Sequence, residues 1–383
     1  MDAILPRTFE EFNEKRKQSF LKVKDYKEAG GRIVGYLCAY TPLELIDAAG
    51  AAAVGLCGMS DEAIPDAETI LPANLCPLVK STFGFAVSEK CPFTYFSDLI
   101  VGETTCDAKK KMYELLAKRK NMYSLHLPQG QNRPWEPDAW YDEVVLFKEA
   151  LEELFEVDIT NQKLRDAVVQ RNRLRCALVD LYSLQQSVPP AMGGVELMST
   201  LLSGTFSFNV ADFTTRLEQL TAQRRAQSEA GESTVDPGAK RILLTGCPSG
   251  GLINKVGKVV EANGGTIVCL DDCGGERTNS MLVDENAPDV LRAISDRYLG
   301  IHCSVMTPND GRWENTLRMV DKYQVDGVID CVLTACHTYN VESAQVSQAM
   351  EDAGVPFMKL ETDYSTGDVG RVETRLAAFM ETI

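Results

Sequence analysis

Short, mostly apolar runs alternate with stretches of helical periodicity along most of this chain. "RIVGYLC" (32–38), "AAAVGLC" (51–57), "DLIVG" (98–102) and "NMYSLHL" (121–127) are too brief for helices. Runs of this kind predict strands covered on both faces, as in a parallel sheet. Between the first two, Thr41-Pro42 is expected to open a helix through Ala49, with Thr41 as N-cap and Pro42 at the first position. A further helix is expected over about 107–119, directly after Cys106. Residues 1–30 read as an N-terminal helix that stops at Gly30-Gly31. Alternating strand and helix predicts a first α/β domain over 31–135.

Residues 136–238 change character. "DEVVLFKEALEELF" and "NQKLRDAVVQRNRLRCALVDLYSLQQ" carry helical periodicity, and "RRAQSEAGESTVDPGAK" reads as a linker. Alternation resumes over 239–383. Strands are expected at "RILLTG", "TIVCLDD", "IHCSV", "DGVIDCVLTA" and "PFMKLETD". Helices are expected near 252–262, 286–299, 312–323, 341–353 and 367–382. The fold class is therefore α/β. It comprises two doubly wound parallel-sheet domains of Rossmann or flavodoxin type, an N-terminal helix and a helical middle segment. In such sheets ligands sit beyond the carboxyl ends of the strands.

A net charge of −16 disfavours nucleic acid, whose phosphates need a basic face. No apolar run is long enough to span a bilayer. "GYLCAYTPLELIDAAGAAAVGLCGM" comes nearest, and Glu44 and Asp47 interrupt it. The N-terminal segment has no apolar signal core, so a cytoplasmic location is expected. The 12 cysteines are then reduced thiols and not a disulfide framework.

Their positions matter more than their number. Cys38, Cys106, Cys273, Cys303 and Cys336 lie at or just past expected strand ends, and Cys76 stands in a loop before a helix start. Helix N-termini favour thiolates and other anions, and soft thiolates select zinc, copper(I) or iron–sulfur centres. The competing reading is that each is a small core residue. Packing is the expected role of Cys57, Cys176, Cys269 and Cys331, which lie within apolar runs. Zinc favours close C-x-x-C pairs, and the chain has none. "TGCPSGG" follows a strand and precedes a helix, so an anion cradle is one reading, but it is not a P-loop. Gly274-Gly275 forms a turn that would let backbone approach a bulky ligand. Asp363, Tyr364 and Ser365 follow a strand end, and either line the same pocket or merely cap a helix. His337 directly follows Cys336, whereas His126 and His302 read equally well as satisfied core groups. Lys109, Lys110 and Lys111 are expected to face solvent or a partner.

"GYLCAYTPLELIDAAGA", "LPANLCPLVKS", "YFSDLIVGETTCDAKKKMYELL", "CSVMTPN" and "ACHTYNVES" resemble the 2-hydroxyacyl-CoA dehydratase and benzoyl-CoA reductase family over nearly the whole chain. "GETTCDAKKKMYE" is the most specific of these stretches. The resemblance implies a [4Fe–4S] cubane on Cys76, Cys106 and Cys336. With Cys38, Cys273 and Cys303 added, the chain is similar to the double-cubane proteins of the family. That implies an [8Fe–9S] cluster on six thiolates in the cleft between the two α/β domains. Cys91 and Cys247, each before a proline in a loop, stay open as alternatives within the second triad. The likeness further implies a homodimer, found in anaerobic metabolism, and an ATP-hydrolysing [4Fe–4S] reductase or activator as partner. The expected function is low-potential reduction of a small-molecule substrate without a CoA ester, with His337, Tyr339 and Tyr364 as candidate proton donors. One alternative is a 2-hydroxyacyl-CoA dehydratase subunit with a single [4Fe–4S] cluster. A non-catalytic electron-storage or cluster-carrier protein is the other.

Overall fold

Strands form where the apolar runs stand, and helices fill the intervals. The structure is a computed structural model that describes residues 4–383, so the first residues of the expected N-terminal helix lie outside it. The chain runs α1 (Glu14–Glu28), β1 (Ile33–Tyr36), α2 (Leu43–Ala48), β2 (Ala52–Gly55), α3 (Ile64–Glu68), α4 (Pro77–Val87), α5 (Pro92–Phe96), β3 (Leu99–Glu103), α6 (Asp107–Leu116) and β4 (Met122–Leu125). Helices α7 (Glu136–Phe155), α8 (Asn161–Ser183), α9 (Gly194–Gly204) and α10 (Val210–Glu229) follow. Then come β5 (Lys240–Gly246), α11 (Lys258–Ala262), β6 (Gly265–Asp271), α12 (Glu276–Asn279), α13 (Val290–Leu299) and α14 (Gly311–Lys322). Last are β7 (Gly327–Leu333), α15 (His337–Asp352), β8 (Phe357–Thr362) and α16 (Val369–Thr382).

Two compact units divide the chain. One holds the residues up to 169 together with 206–208 and 284–299; the other holds 170–205, 209–283 and 300–383. Each contains a four-stranded, all-parallel sheet, ordered β2-β1-β3-β4 in the first and β6-β5-β7-β8 in the second. The expected doubly wound α/β class is thus present twice. In each sheet the order turns between the first and third strands, β1/β3 and β5/β7. Chain ends leave these neighbours in opposite directions and open a crevice there.

Parallel sheets bury both faces, which explains the unbroken apolar strands: every residue of β3, β6 and β7 is buried. In the first unit, Phe12 stacks on Phe20 at 5.2 Å, and Tyr26 stacks on Phe208 at 4.3 Å. Phe93 stacks on Phe206 at 5.1 Å, which is how the short stretch 206–208 comes to belong to that unit. In the second unit, buried Arg241 donates to the carbonyls of Tyr323, Ser187 and Gln185, tying β5 to the end of the helical segment. Among the described residues no helix is long and apolar enough to cross a membrane.

Two local expectations fail for physical reasons. Helix α2 begins at Leu43 with Pro42 as its cap, because the Thr41 hydroxyl is taken by buried Glu103. "IHCSV" is no strand. Its polar groups are satisfied by turns, with Cys303 N–H donating to Ile301 O and Met306 N–H to Cys303 O, while Asn309 Nδ2 also reaches Cys303 O. The second sheet therefore has four strands and not five.

Gly246 closes β5 with φ +109°, and a Cβ there would stand 2.2 Å from the Cys331 carbonyl oxygen. Gly246→Ala should lower unfolding free energy by about 2 kcal/mol through backbone strain and that clash. Chemical denaturation checks this, and an unchanged midpoint would show that the strand end relaxes freely.

Candidate metal centre

In the first unit, β1 and β3 end side by side, with Leu37 N–H donating to Val101 O at 3.0 Å. Cys38 follows one end and Cys106 the other. Cys106 is the N-cap of α6 and makes no side-chain capping bond, so the thiol sits where the helix presents unpaired N–H groups. Cys76 occupies the same position on α4, ahead of Pro77, and is buried. The Cys38 carbonyl accepts from Thr41 N–H at 3.3 Å.

Lys109 departs from the sequence expectation. The helical period of α6 turns it inward, where Nζ donates to Leu37 O at 2.7 Å and lies 6.0 Å from the Tyr113 ring centroid. Burial opposes its charge, but Tyr113, Cys38, Cys57 and Glu103 outweigh that and hold its pKa well above the ordinary lysine value. Lys110 and Lys111 pair locally with Asp107 and Glu114. Glu103 is fully buried, and burial pushes its carboxyl up to about 7, against the Thr41 hydrogen bond and the Lys109 charge.

In the second unit, Cys336 caps the 16-residue helix α15, again without a side-chain capping bond. The residue before it, Ala335, has φ 58°, a left-handed conformation that costs a non-glycine residue energy. Cys336 Sγ lies 3.8 Å from Thr338 Oγ1. Cys273 follows β6 in the turn before α12, and Cys303 is buried in the irregular stretch after α13. Cys303 Sγ stands 3.6 Å from Tyr339 Oη, which accepts from Arg277 Nη2 at 3.1 Å. Burial opposes the Arg277 charge, but Tyr339, Cys303 and Cys273 outweigh it and raise its pKa. Burial likewise pushes the Tyr339 hydroxyl far up, against the Arg277 charge.

The remaining candidates separate. His337 is exposed on the first turn of α15, while Tyr339 and Tyr364 are buried. The backbone around Tyr364 is held by Lys255 Nζ, which donates to Asp363 O at 3.0 Å and Ser365 O at 2.7 Å. Ser365 N–H and Oγ both bind Asp363 Oδ1 at 2.8 Å, so this segment is a side-chain-stabilised turn ahead of α16. Cys91 is the N-cap of α5 and interacts electrostatically with Arg16 and Lys120. Cys247 is buried and its sulfur accepts from Leu333 N–H at 3.3 Å, while Ser249 of the same turn donates to Asp272. The Ser249 donors of "TGCPSGG" are thus engaged by the protein itself. A Cβ on Gly275 would meet Leu270 O at 1.9 Å, so this glycine serves packing of the turn on its own strand. Cys269 and Cys331 are core thiols raised by burial, and Cys57 Sγ donates to Leu37 O at 3.6 Å. Cys176 is exposed on α8, and His126 is exposed as well, so neither packs in the core.

Sequence reading missed Lys109, Glu103 and Arg277. No spacing marks them: the lysine run after Cys106 reads as a solvated face, and α12 is too short to show a period.

Among the described residues no group of three His, Cys, Asp or Glu side chains is arranged to hold a single metal ion. An iron–sulfur cubane asks for something else, one thiolate for each of several irons. The donor set fits that chemistry. It comprises thiols on helix amino ends and thiols near a cation, half-buried Lys109 or buried Arg277.

The profile described as "2-hydroxyglutaryl-CoA dehydratase, D-component" matches residues 38–383. The chain is 44% identical over 378 residues to the "Putative dehydratase subunit YjiM" of Escherichia coli (strain K12), covering 98% of each. It is 24% identical over 387 residues to the (R)-2-hydroxyglutaryl-CoA dehydratase subunit beta of Acidaminococcus fermentans, again covering 98% of each. A benzoyl-CoA reductase subunit of Thauera aromatica is 21% identical over 379 residues, covering 95% of this chain and 94% of that one. The chain belongs to the 2-hydroxyglutaryl-CoA dehydratase D-component family, whose relatives here are dehydratase and reductase subunits.

Glu103 generates a pH prediction. Its folded pKa of about 7 lies above the ordinary 4.5, so the folded state holds a proton that the unfolded state releases between these values. Stability from this group is full below about pH 4.5 and is lost as pH rises through about 7. Wild type should lose on the order of 3 kcal/mol relative to Glu103→Gln across that window. Denaturant midpoints at several pH values check it, and parallel profiles for the two proteins would contradict it.

Proposed function

We propose that this family member is an iron–sulfur reductase carrying a double-cubane [8Fe–9S] cluster on Cys38, Cys76, Cys106, Cys273, Cys303 and Cys336. The observation that carries the reading is the setting of the three cysteines beyond the Cys76, Cys106 and Cys336 triad. Cys38 interacts electrostatically with half-buried Lys109, and Cys273 and Cys303 with buried Arg277. Positive charge beside a thiol favours its anionic form; Cys57 shares Lys109, but there burial outweighs the lysine and pushes the thiol up. Cys247 is enclosed in the core, its sulfur accepting from Leu333 N–H, whereas Cys91 stands near Arg16 and Lys120 and stays an alternative within the second triad.

When bound, the cluster supplies low-potential electrons to a small substrate. The protein's own residues hold it and manage protons. Cys76, Cys106 and Cys336 meet it from the amino ends of α4, α6 and α15, whose dipoles favour negative charge. Tyr339 stays protonated because burial disfavours its phenolate, and at 3.6 Å from Cys303 Sγ it can donate toward substrate or sulfur. Tyr364 is the second buried donor, and His337 serves from the exposed side. An ATP-hydrolysing [4Fe–4S] protein delivers the electrons, and the enzyme works as a homodimer in the cytoplasm.

A second reading is a 2-hydroxyacyl-CoA dehydratase subunit with one [4Fe–4S] cluster. It is favoured by the names of the A. fermentans and E. coli relatives.

Iron and sulfide analysis of anaerobically purified protein separates the two. The reductase reading expects about eight irons per chain, and the dehydratase reading about four. Cys106→Ser should lose at least one cubane, since an alkoxide is a poor substitute for a soft thiolate. Cys38→Ser and Cys303→Ser should each lose about half the iron, and exposed Cys176→Ser none. Full iron in Cys38→Ser and Cys303→Ser would sink the double-cubane reading. Full iron in Cys106→Ser would sink both.

A further inference from the structure

Arg277 is an odd residue to bury. It stands on the four-residue helix α12, and its side chain is only 2% exposed. Its Nε and Nη1 have no hydrogen-bond partner, and Nη2 alone makes a bond, to Tyr339 Oη at 3.1 Å. Leaving guanidinium donors unmade in a buried place is costly. The nearest carboxylate, Asp271, does not relieve it. Asp271 Oδ1 is 3.5 Å from Arg277 Nη1, outside good hydrogen-bond geometry for that pair. Its other oxygen is committed to Arg312, Thr316 and Thr245. Asp272 is spent on Ser249 and on Gly274 N–H. Glu276, the neighbour on α12, binds Tyr323, Lys322 and Arg318. Glu342 lies against Arg312 Nε at 3.4 Å and accepts from Asn309. One charged group thus remains incompletely answered, linked through Tyr339 to the Cys303 sulfur and interacting electrostatically with Cys303 and Cys273.

We propose that Arg277 is a positioning residue whose fixed positive charge stabilises the reduced, more negative form of the cluster half held by Cys273 and Cys303. This rests on the double-cubane reading and adds to it a residue that sets how readily that half accepts an electron. Arginine suits the task because it stays charged at every working pH. Its influence is large because the site is buried and poorly screened. The same guanidinium fixes the Tyr339 hydroxyl, which fixes the contact to Cys303 Sγ.

The test compares wild type, Arg277→Met and Arg277→Lys as anaerobically purified holoproteins, by iron content and by a potentiometric titration followed by electron paramagnetic resonance. Arg277→Met should keep its iron and become at least tenfold harder to reduce, a shift of about 59 mV to lower potential for a one-electron step. Arg277→Lys restores the charge and should titrate near wild type. If Arg277→Met fails to load iron, Arg277→Lys decides: loading with near-wild-type potential supports the proposal. An unchanged potential in Arg277→Met overturns it, as does an Arg277→Lys variant that fails like Arg277→Met. About four irons in wild type would instead show that the double-cubane reading itself had failed, before any Arg277 variant is made.

Discussion

The first triad of candidate ligands shares one constraint, the unpaired N–H groups at the amino ends of helices. Three helices begin on a cysteine: α4 on Cys76, α6 on Cys106 and α15 on Cys336. Serine, threonine, aspartate and asparagine are the usual N-caps, because their oxygens accept from the first turn. Cysteine is a poor substitute, and none of the three makes that bond. Their helices give up capping stabilisation of about 1 kcal/mol each to keep a thiol at the positive end of a dipole. For α6 and α15 the sheet decides where that end lies, since both helices begin just past the third strand of a parallel sheet with the same strand order. Left-handed Ala335 adds strain immediately before Cys336, a second local cost at the same place.

Around these ends each unit sets a cation near its strand-end thiols, half-buried Lys109 in the first and buried Arg277 in the second. Lys109 reaches inward from α6 and Arg277 from α12. The two solutions differ. Lys109 is anchored to the Leu37 carbonyl and lies beside Glu103, whose own ionisation is delayed by burial. Arg277 is bonded only to Tyr339, and Asp271, 3.5 Å from its Nη1, is committed to Arg312. Buried charge of this kind is unfavourable for an isolated fold and makes sense when an anion completes it.

The α/β class and nearly all strands were legible because parallel strands covered on both faces write themselves as unbroken apolar runs. "IHCSV" misled for the same reason: it is apolar enough for a strand, yet turns around Cys303 satisfy its backbone. Thr41 carried a cap signal, but tertiary contact with Glu103 overrode it. Cysteine placement at strand ends was readable, since topology alone puts those residues at one edge. The lysine run after Cys106 was not. Composition says solvated face, and only the rotation of α6 over the strand ends shows that Lys109 turns in while its two neighbours stay out. Arg277 was hidden for a similar reason, on a helix too short to show any periodicity.

The central claim is that six thiolates of one chain hold iron. Diffraction from anaerobically grown crystals, with anomalous differences collected at the iron edge, tests it most directly. Two adjoining iron clusters are expected, one ligated by Cys76, Cys106 and Cys336 and the other by Cys38, Cys273 and Cys303. Anomalous density for a single cubane on the first triad, with the sulfurs of Cys38, Cys273 and Cys303 bare of iron, would contradict it.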